Sequence, residues 1–298
     1  MQGLIIINGY PNGEKFYRQA ERIAEELRFL GVETDVYRNG EIAAIIRSTG
    51  DVSAFMPQKY DFAVYLDKDK YLGRLLEKTG LRLFNTASAV ETCDDKFSTY
   101  LALQSAGVRL AESIPAPLCY TPNARADEGF LRTVADTLGF PLVMKASYGS
   151  FGAGVELVED MPALIRAEQK NLYRPHFYQR YIAESSGRDI RIVVIGGKTA
   201  AAMERVAAKG EFRSNIELGG AGKNIKLSPS YAALAERAAA ALNLDYCGVD
   251  VLESADGGVI CEVNSNAFFE GLEKTTGVNV AKKYAEYIVE QVKSKKKP

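Results

Sequence analysis

The sequence of 298 residues is poor in the side chains that many catalytic centres use. Its single histidine is His176, and its four cysteines are Cys93, Cys119, Cys247 and Cys261. The cysteines show neither a CxxC pair nor the spacing of zinc ligands. These absences argue against a disulfide scaffold, a structural zinc site and a histidine-based triad. Phosphate chemistry with an oxygen-ligated metal, carbonyl chemistry by lysine, and plain binding stay open.

The sequence also lacks an excess of charge of either sign. Lys and Arg number 37 and Asp and Glu number 38, which gives a formal net charge of -1. No global basic field is therefore available to hold nucleic acid, and an anionic ligand has to be held by local cations. The hydrophobic content of 47% and charged content of 25% are typical of a globular protein. A chain of this length predicts about two domains.

Long apolar runs are missing as well. No run approaches the roughly 20 residues needed to span a bilayer. The first residues carry neither a basic segment nor a signal cleavage site. We therefore expect a cytoplasmic protein.

Strand and helix patterns alternate over about the first 90 residues. An apolar run at 4–8 leads through a glycine-containing loop into an amphipathic helix that ends near Gly31. Further predicted strands are 33–37, 62–67 and 81–85, and further predicted helices are 41–48 and 69–79. This alternation favours a small α/β domain with a parallel sheet.

A mixed pattern follows and then gives way to antiparallel strands. We predict one amphipathic helix over 88–105, which carries Asp95 and Lys96. Later predicted strands are 189–195, 198–206, 247–253 and 259–264. Ser228 and Pro229 are typical of a helix N-cap and first helical residue.

A lysine near a strand end precedes three closely spaced glycines. Lys145 is followed by Gly149, Ser150, Gly152 and Gly154. Small residues let backbone N–H groups approach an anion, and the lysine adds a charge, so the segment is a candidate phosphate cradle. It is not a Walker loop. An ordinary hairpin with a surface lysine fits the segment equally well.

Two C-terminal strands place carboxylates in register. Apolar residues at odd positions from 249 to 263 predict a shared buried face. A three-residue loop at 256–258 then pairs residue 250 with 264 and residue 252 with 262. This register puts Asp250, Glu262 and Asn264 on the opposite face. Their oxygens suit Mg²⁺, although a solvated polar face would show the same alternation.

Several arginines could contact phosphate or carboxylate groups. Arg188, Arg191, Arg205 and Arg213 lie in or beside the predicted strands. A guanidinium can donate two parallel hydrogen bonds to such a group. Surface ion pairs are the alternative.

Taken in order, these motifs resemble the ATP-grasp superfamily and most closely the RimK-type glutamate ligases. The segments that carry the resemblance are 95–96, 141–145, 149–155, 179–182, 187–191, 212–215, 248–250 and 262–266. The similarity covers roughly residues 85–290, and the first 85 residues share only the α/β pattern.

The resemblance implies a fold of the α/β and α+β classes. ATP would lie between two subdomains of an ATP-grasp fold, behind an N-terminal pre-ATP-grasp α/β domain. The expected boundaries are 1–87 for the pre-ATP-grasp domain, 88–182 for the central lid subdomain with the glycine-rich loop, and 183–298 for the C-terminal subdomain with the magnesium site.

The resemblance also implies roles for particular residues. The expected phosphate ligands are Lys96, Lys145, Gly149, Ser150, Gly152, Gly154 and, along the γ-phosphate, Arg213. The expected adenosine ligands are the backbone of Gln179, Arg180, Tyr181 and Ile182, with Asp189 at the ribose. The expected ligands of two Mg²⁺ ions, with Mn²⁺ as a possible replacement, are Asp250, Glu262 and Asn264. Arg205 and Asn215 would join Arg213 in orienting the carboxylate and its acyl phosphate.

The implied activity is that of an ATP-dependent carboxylate-amine ligase. It would form an amide through an acyl phosphate, with a glutamate-like amino acid as one substrate and a small molecule, peptide or protein C-terminus as the other. Two alternatives are a phosphotransferase acting on a small hydroxylated acceptor and a non-catalytic nucleotide-binding protein. We also expect a homo-oligomer and no nucleic-acid or membrane partner. Arg180 and the segment 267–269 depart from the family pattern.

Overall fold

The computed structural model describes residues 1–10, 13–150, 152–214 and 219–295. The N-terminal part contains a parallel sheet of order β2-β1-β5-β6 and a separate antiparallel hairpin, β3-β4. Its elements are β1 (Gln2–Ile7), α1 (Lys15–Phe29), β2 (Glu33–Arg38), β3 (Ala43–Ile46), β4 (Val52–Phe55), β5 (Phe62–Leu66), α2 (Lys70–Lys78) and β6 (Arg82–Phe84). The predicted α/β domain with a parallel sheet is confirmed here.

The helix predicted at 41–48 is wrong. Residues Ala43–Ile46 form β3, which pairs with β4 across a turn that contains Gly50. Gly50 has a φ of 88°, which a glycine adopts without strain. The β-branched Ile45 and Ile46 favour a strand over a helix, and this preference decides the short segment.

The single helix predicted at 88–105 is two helices, α3 (Ala87–Asp94) and α4 (Lys96–Leu103). Asp95 separates them in an extended conformation, and its carboxylate accepts hydrogen bonds from the backbone N–H groups of Phe97 and Ser98. Aspartate is a preferred N-cap because it satisfies N–H groups that have no partner within the helix. The cap turns the chain so that Lys96 begins a new helix.

The middle part is an antiparallel sheet of order β7-β10-β8-β9. Two helices cover one face and enclose a core of their own that includes Leu131, Leu164 and Tyr178. The elements are β7 (Ser113–Pro115), α5 (Glu128–Leu138), β8 (Leu142–Ala146), β9 (Val155–Val158), α6 (Met161–Asn171) and β10 (His176–Arg180).

The C-terminal part is a five-stranded antiparallel sheet of order β13-β12-β11-β14-β15. Its elements are β11 (Arg188–Ile195), β12 (Lys198–Val206), β13 (Ala221–Asn224), α7 (Pro229–Ala241), β14 (Tyr246–Ser254), β15 (Gly257–Asn264), α8 (Glu270–Thr276) and α9 (Val280–Lys295). α7 packs on one face, while α9 and α1 share a core with the other. None of the described helices is long and apolar enough to cross a membrane.

The register predicted for the β14–β15 hairpin is wrong. Ser254 faces Gly257, which leaves a two-residue turn, and Asp250 lies opposite Glu262. Cys261 is the extra residue of a β-bulge, since Val251 pairs with Ile260. The bulge puts Ile260 into the core and leaves Cys261 in contact with Lys145.

Candidate active site

A cavity of about 640 Å³ lies where the N-terminal sheet, the glycine-rich turn and the C-terminal sheet meet. Asn8 and Asp67 line it from the carboxyl ends of β1 and β5, and Glu262 and Asn264 line it from the end of β15. Ligands of α/β sheets commonly bind at the carboxyl ends of parallel strands. The fold thus brings polar residues that are far apart in the sequence to one cleft.

Lys96 connects the glycine-rich turn to the acidic hairpin. Its Nζ donates to the Gly149 carbonyl oxygen at 2.6 Å and lies 3.2 Å from Glu262 Oε1. The lysine takes this position because Asp95 caps the helix that Lys96 begins. One ammonium group therefore touches both motifs that the sequence singled out.

The glycines of the turn are required by its geometry. Gly154 has a φ of 73°, and a Cβ added there would lie 2.7 Å from the Ala146 Cβ. A Cβ on Gly149 would lie 2.9 Å from the Ala153 carbonyl oxygen. Side chains larger than hydrogen would displace β8 or the turn itself.

Cations from outside the turn also hold it. Lys68 Nζ donates to Ser150 Oγ at 3.1 Å, and Arg213 Nη1 donates to the Gly152 carbonyl oxygen at 2.9 Å. Arg213 Nη2 donates to Glu211 Oε2 at 2.7 Å, and hydrogen bonding to Arg213 lowers the pKa of Glu211 to about 2. Arg213 thus reaches the turn as a charged group.

Lys145 points from β8 toward the bulge of β15. The side chain is only 7% exposed, and Nζ lies 3.5 Å from Cys261 Sγ. Burial raises the pKa of the Cys261 thiol above its usual value, although the charge of Lys145 opposes this rise. The thiol is therefore neutral near pH 7 and does not balance the lysine charge.

A buried network of two arginines and two aspartates borders the cavity, and both arginines, Arg191 and Arg205, line it. Arg205 donates to Asp189 at 2.7 Å through Nε, and its Nη2 forms an ion pair with Asp250 at 2.8 Å. Arg191 donates to both oxygens of Asp250. Burial alone would raise the pKa of Asp250, but Arg191 and Arg205 outweigh it and lower that pKa. Asp250 is thus held ionised.

The candidate metal ligands are hard oxygen donors. Asp250 and Glu262 occupy opposite positions on β14 and β15, and Asn264 lies two residues further along. Among the described residues, no three His, Cys, Asp or Glu side chains gather as a metal site, so the third donor would be the Asn264 amide. Two carboxylates and an amide oxygen suit Mg²⁺, which keeps several waters and substrate oxygens as ligands. The residues present therefore fit this ion.

The candidate adenosine ligands lie at the end of β10. The Gln179 amide is buried and donates to the hydroxyls of Tyr100 and Ser113, at 2.8 and 3.0 Å. The Arg180 side chain turns toward Glu112 and the end of α5. Tyr181 and Ile182 follow directly, and Asp189 gives both carboxylate oxygens to Arg205.

The structure brings some candidate residues into the cavity and leaves others beside it. Those that line it are Lys96, Gly149, Ser150, Arg205, Glu262 and Asn264. Asp189 and Asp250 contact Arg205 of this set. Lys145 contacts Cys261, and Arg213 contacts Gly152, outside this set. Asn215 lies outside the described residues.

Sequence reasoning missed the contribution of the N-terminal part to the cavity. Lys15 and Phe16 of α1 line it, where Phe16 makes an edge-to-face contact with Phe268 at 5.2 Å between ring centroids. Lys15 Nζ lies 4.9 Å from the Phe268 centroid. Asp67 is also a lining residue. Its position directly after a buried parallel strand is the signal that could have indicated it.

A glycine-rich turn on one antiparallel sheet that faces an acidic hairpin on another defines an ATP-grasp fold. Residues 94–288 match the family model described as the RimK-like ATP-grasp domain, and the chain belongs to this family.

Two relatives illustrate the similarity in sequence. The chain is 34% identical over 239 residues to β-citrylglutamate synthase B of Danio rerio, covering 78% of this chain and 56% of that protein. It is 39% identical over 207 residues to a probable alpha-L-glutamate ligase of Picosynechococcus, covering 68% of this chain and 66% of that protein. The chain thus spans less than two thirds of either relative.

Two solved structures illustrate the similarity in fold. The ATP-grasp ligase PsnB, complexed with a phosphomimetic variant of its minimal precursor, Mg and ADP, has a TM-score of 0.70 and 18% identity, with 97% and 98% of the two chains covered. D-alanine–D-alanine ligase of Bacillus anthracis has a TM-score of 0.72 and 18% identity, with 99% and 98% covered. The predicted ATP-grasp fold is confirmed.

Proposed function

We propose that this chain joins a carboxylate to the amino group of an amino acid at the expense of ATP, through an acyl phosphate. The observation that carries the proposal is the position of Lys96, whose ammonium contacts both Gly149 of the glycine-rich turn and Glu262 of the acidic hairpin. A phosphate-binding turn and a metal-binding pair within reach of one cation are what a bound polyphosphate requires.

We assign the nucleotide to the residues around that contact. Lys96 and Lys145 would bind phosphate oxygens under the glycine-rich turn, and the backbone after Gln179 would face adenine. The two oxygens of Asp189 already accept from Arg205, so the ribose would share this carboxylate with the arginine.

We assign Mg²⁺ to Asp250, Glu262 and Asn264, with two ions as the expected number. When bound, the metal neutralises charge on the phosphates and polarises them. Glu262 would then exchange Lys96 for the ion, and Asp250 would share its oxygens between the ion and the guanidinium groups of Arg191 and Arg205.

The chain's own residues account for the chemistry without a protein nucleophile. A substrate carboxylate attacks the γ-phosphoryl group, which gives an acyl phosphate and releases ADP. The amine then attacks the activated carbonyl, which forms the amide and releases phosphate and a proton. Both steps place negative charge on oxygen, which Arg205 and Arg213 would stabilise as fixed donors. Asn215 is proposed to assist them. Because acyl phosphates hydrolyse, the glycine-rich turn and the middle sheet should close and exclude water before chemistry.

The substrates are proposed from the relatives' names and the cavity. Those names include glutamate ligases and a citrylglutamate synthase, so L-glutamate is our first candidate for the amine. The neighbour PsnB was solved with a precursor, so a peptide stays a candidate for the other substrate. A homo-oligomer and the absence of a nucleic-acid partner stay predictions.

Trapping with hydroxylamine tests the proposal. With ATP, Mg²⁺ and a panel of carboxylates (citrate, N-acetyl-L-aspartate and short peptides), we expect a hydroxamate for the correct acid and phosphate release that depends on it. A stable phosphorylated product would instead identify a phosphotransferase. ADP binding without either product would identify a nucleotide-binding protein.

The variant Glu262→Gln tests the metal assignment. We expect a loss of hydroxamate formation of at least about a hundredfold, because the amide carries no charge to hold the ion. The control is Glu253→Gln, a half-buried carboxylate near the other end of the same hairpin that pairs with Arg188. Full activity of Glu262→Gln would refute the assignment.

A further inference from the structure

Asp67 is a buried carboxylate at the wall of the cavity. It directly follows β5, is 3% exposed, and lines the cleft on the side of the N-terminal sheet. The proposed chemistry of nucleotide and metal does not use it. Its surroundings show that the chain holds it in one orientation.

Three donors fix the two carboxylate oxygens. Asn8 Nδ2 and the backbone N–H of Lys68 donate to Oδ1 at 3.0 and 2.6 Å, and Asn39 Nδ2 donates to Oδ2 at 2.5 Å. Gly9 makes room for this arrangement, because a Cβ there would lie 2.4 Å from Asn39 Oδ1. All three donors are uncharged N–H groups, so they hydrogen-bond the carboxylate oxygens without supplying a counter-charge.

Asp67 differs from the other carboxylates that line the cavity. Asp94 pairs with Lys68 at 2.5 Å, Glu262 pairs with Lys96, and Glu270 pairs with Arg18 and Lys274 at 3.1 and 2.7 Å. Within the described parts of the chain, no lysine or arginine nitrogen lies within 4.0 Å of the Asp67 carboxylate.

A buried charge without a counter-charge is unfavourable unless a ligand supplies one. We propose that Asp67 binds the positively charged amino group of the amine substrate, an inference that rests on the proposed function. An ammonium group supplies both the missing charge and hydrogen-bond donors, whereas a hydroxyl group supplies only a donor. Lys15 and Lys274 line the same cavity and suit the carboxylate of an amino acid. The N-terminal part would thus select the amine.

Comparing two amines in the variant Asp67→Asn tests the proposal. L-glutamate carries an ammonium group, while hydroxylamine is largely uncharged at neutral pH and traps the same acyl phosphate. In Asp67→Asn we expect the KM for L-glutamate to rise at least about tenfold. The rate of hydroxamate formation and the affinity for ADP should stay within about twofold of the unchanged protein.

Two further variants keep the test decisive if Asp67→Asn folds poorly. Asn39→Ala removes one donor from a half-buried position and should raise the KM for L-glutamate by a smaller factor, again with unchanged hydroxamate formation. Asp35→Asn is the matched control, because this half-buried carboxylate of the same sheet accepts from Gln58 and Tyr60 but does not line the cavity. It should behave as the unchanged protein.

The outcomes separate this inference from the function on which it rests. An unchanged KM for L-glutamate in both Asp67→Asn and Asn39→Ala overturns the role of Asp67 and leaves the ligase intact. A parallel loss of hydroxamate formation also overturns it, because Asp67 would then act on the nucleotide or the fold. If the unchanged protein forms no hydroxamate with any carboxylate tested, the proposed function and this inference both fall.

Discussion

Several charged side chains of this chain are buried from solvent. Lys145 is the clearest case, since among the described residues its ammonium group contacts only the neutral thiol of Cys261. Burying an ammonium group without an anion destabilises a fold. Such a cost is typical of residues that are kept for binding and not for stability.

The variant Lys145→Met should therefore separate stability from binding. We expect an unchanged or higher free energy of unfolding in urea, because a methionine fills similar space without a charge. The affinity for ADP with Mg²⁺, measured by calorimetric titration, should fall at least about tenfold. Lys78→Met, at the exposed end of α2, is the control. An unchanged ADP affinity would remove Lys145 from the nucleotide site.

At the scale of elements, the sequence predicted most strands and helices but not how they join. Apolar periodicity located α1 and four of the five strands of the C-terminal sheet, and it missed β13. The bulge at Cys261 escaped prediction because a cysteine fits an apolar face as well as a valine does, and one inserted residue changes the register. The sequence did not predict the role of Asp67, because that role depends on Asn8 and Asn39, which only the fold brings into contact with it. Asp250 and Glu262 are neighbours because the inserted Cys261 shifts the register of the two-residue hairpin by one position.

A buried group of three side chains ties α6 to β10. His176 Nε2 lies 2.6 Å from Glu168 Oε2, and Tyr178 donates to the same oxygen. Burial would lower the pKa of His176, but its hydrogen bond to Glu168 leaves it raised. Burial would raise the pKa of Glu168, but its hydrogen bond to His176 leaves it lowered. The ion pair therefore stabilises the fold at pH values between the lowered pKa of Glu168 and the raised pKa of His176.

This pair predicts a pH-dependent stability. The contribution of a raised histidine pKa is complete below its ordinary value of about 6.5 and is lost as pH rises through the folded value. We expect His176→Gln to lower the free energy of unfolding by about 1–2 kcal/mol at pH 6 and by less at pH 9. Urea unfolding at both pH values measures the difference. His176 is the only histidine of the sequence, so no other imidazole titrates in this range. An equal loss of unfolding free energy at pH 6 and pH 9 would contradict the proposed ion pair between His176 and Glu168.

For the molecule as a whole, the first and last parts of the chain share one core, while the middle sheet has its own. Asn85 joins the two ends of the chain and is 1% exposed. Its amide donates to the carbonyl oxygens of Tyr246 and Ser265 at 2.8 and 2.9 Å, and accepts from the N–H groups of Asp245 and Tyr246. One side chain thus satisfies four backbone groups.

Removing this amide should destabilise the whole protein. We expect Asn85→Ala to lower the free energy of unfolding by about 2–4 kcal/mol, because buried backbone groups lose their partners. The control Asn171→Ala removes a single bond to the Ala167 carbonyl at the end of α6 and should cost about 1 kcal/mol or less. Equal losses in urea unfolding would show that Asn85 does not join the two parts.

The contacts of the glycine-rich turn bear on selectivity among nucleotides. Lys96 and Arg213 reach this turn from α4 and from the segment after β12, and each binds a carbonyl oxygen of it. If Lys96 and Arg213 bind phosphate as proposed, the phosphate oxygens must replace the carbonyl oxygens of the turn as hydrogen-bond acceptors. A nucleoside without phosphates offers no such exchange, and each added phosphate offers one more. Preference for the triphosphate would then arise from competition with the protein's own backbone.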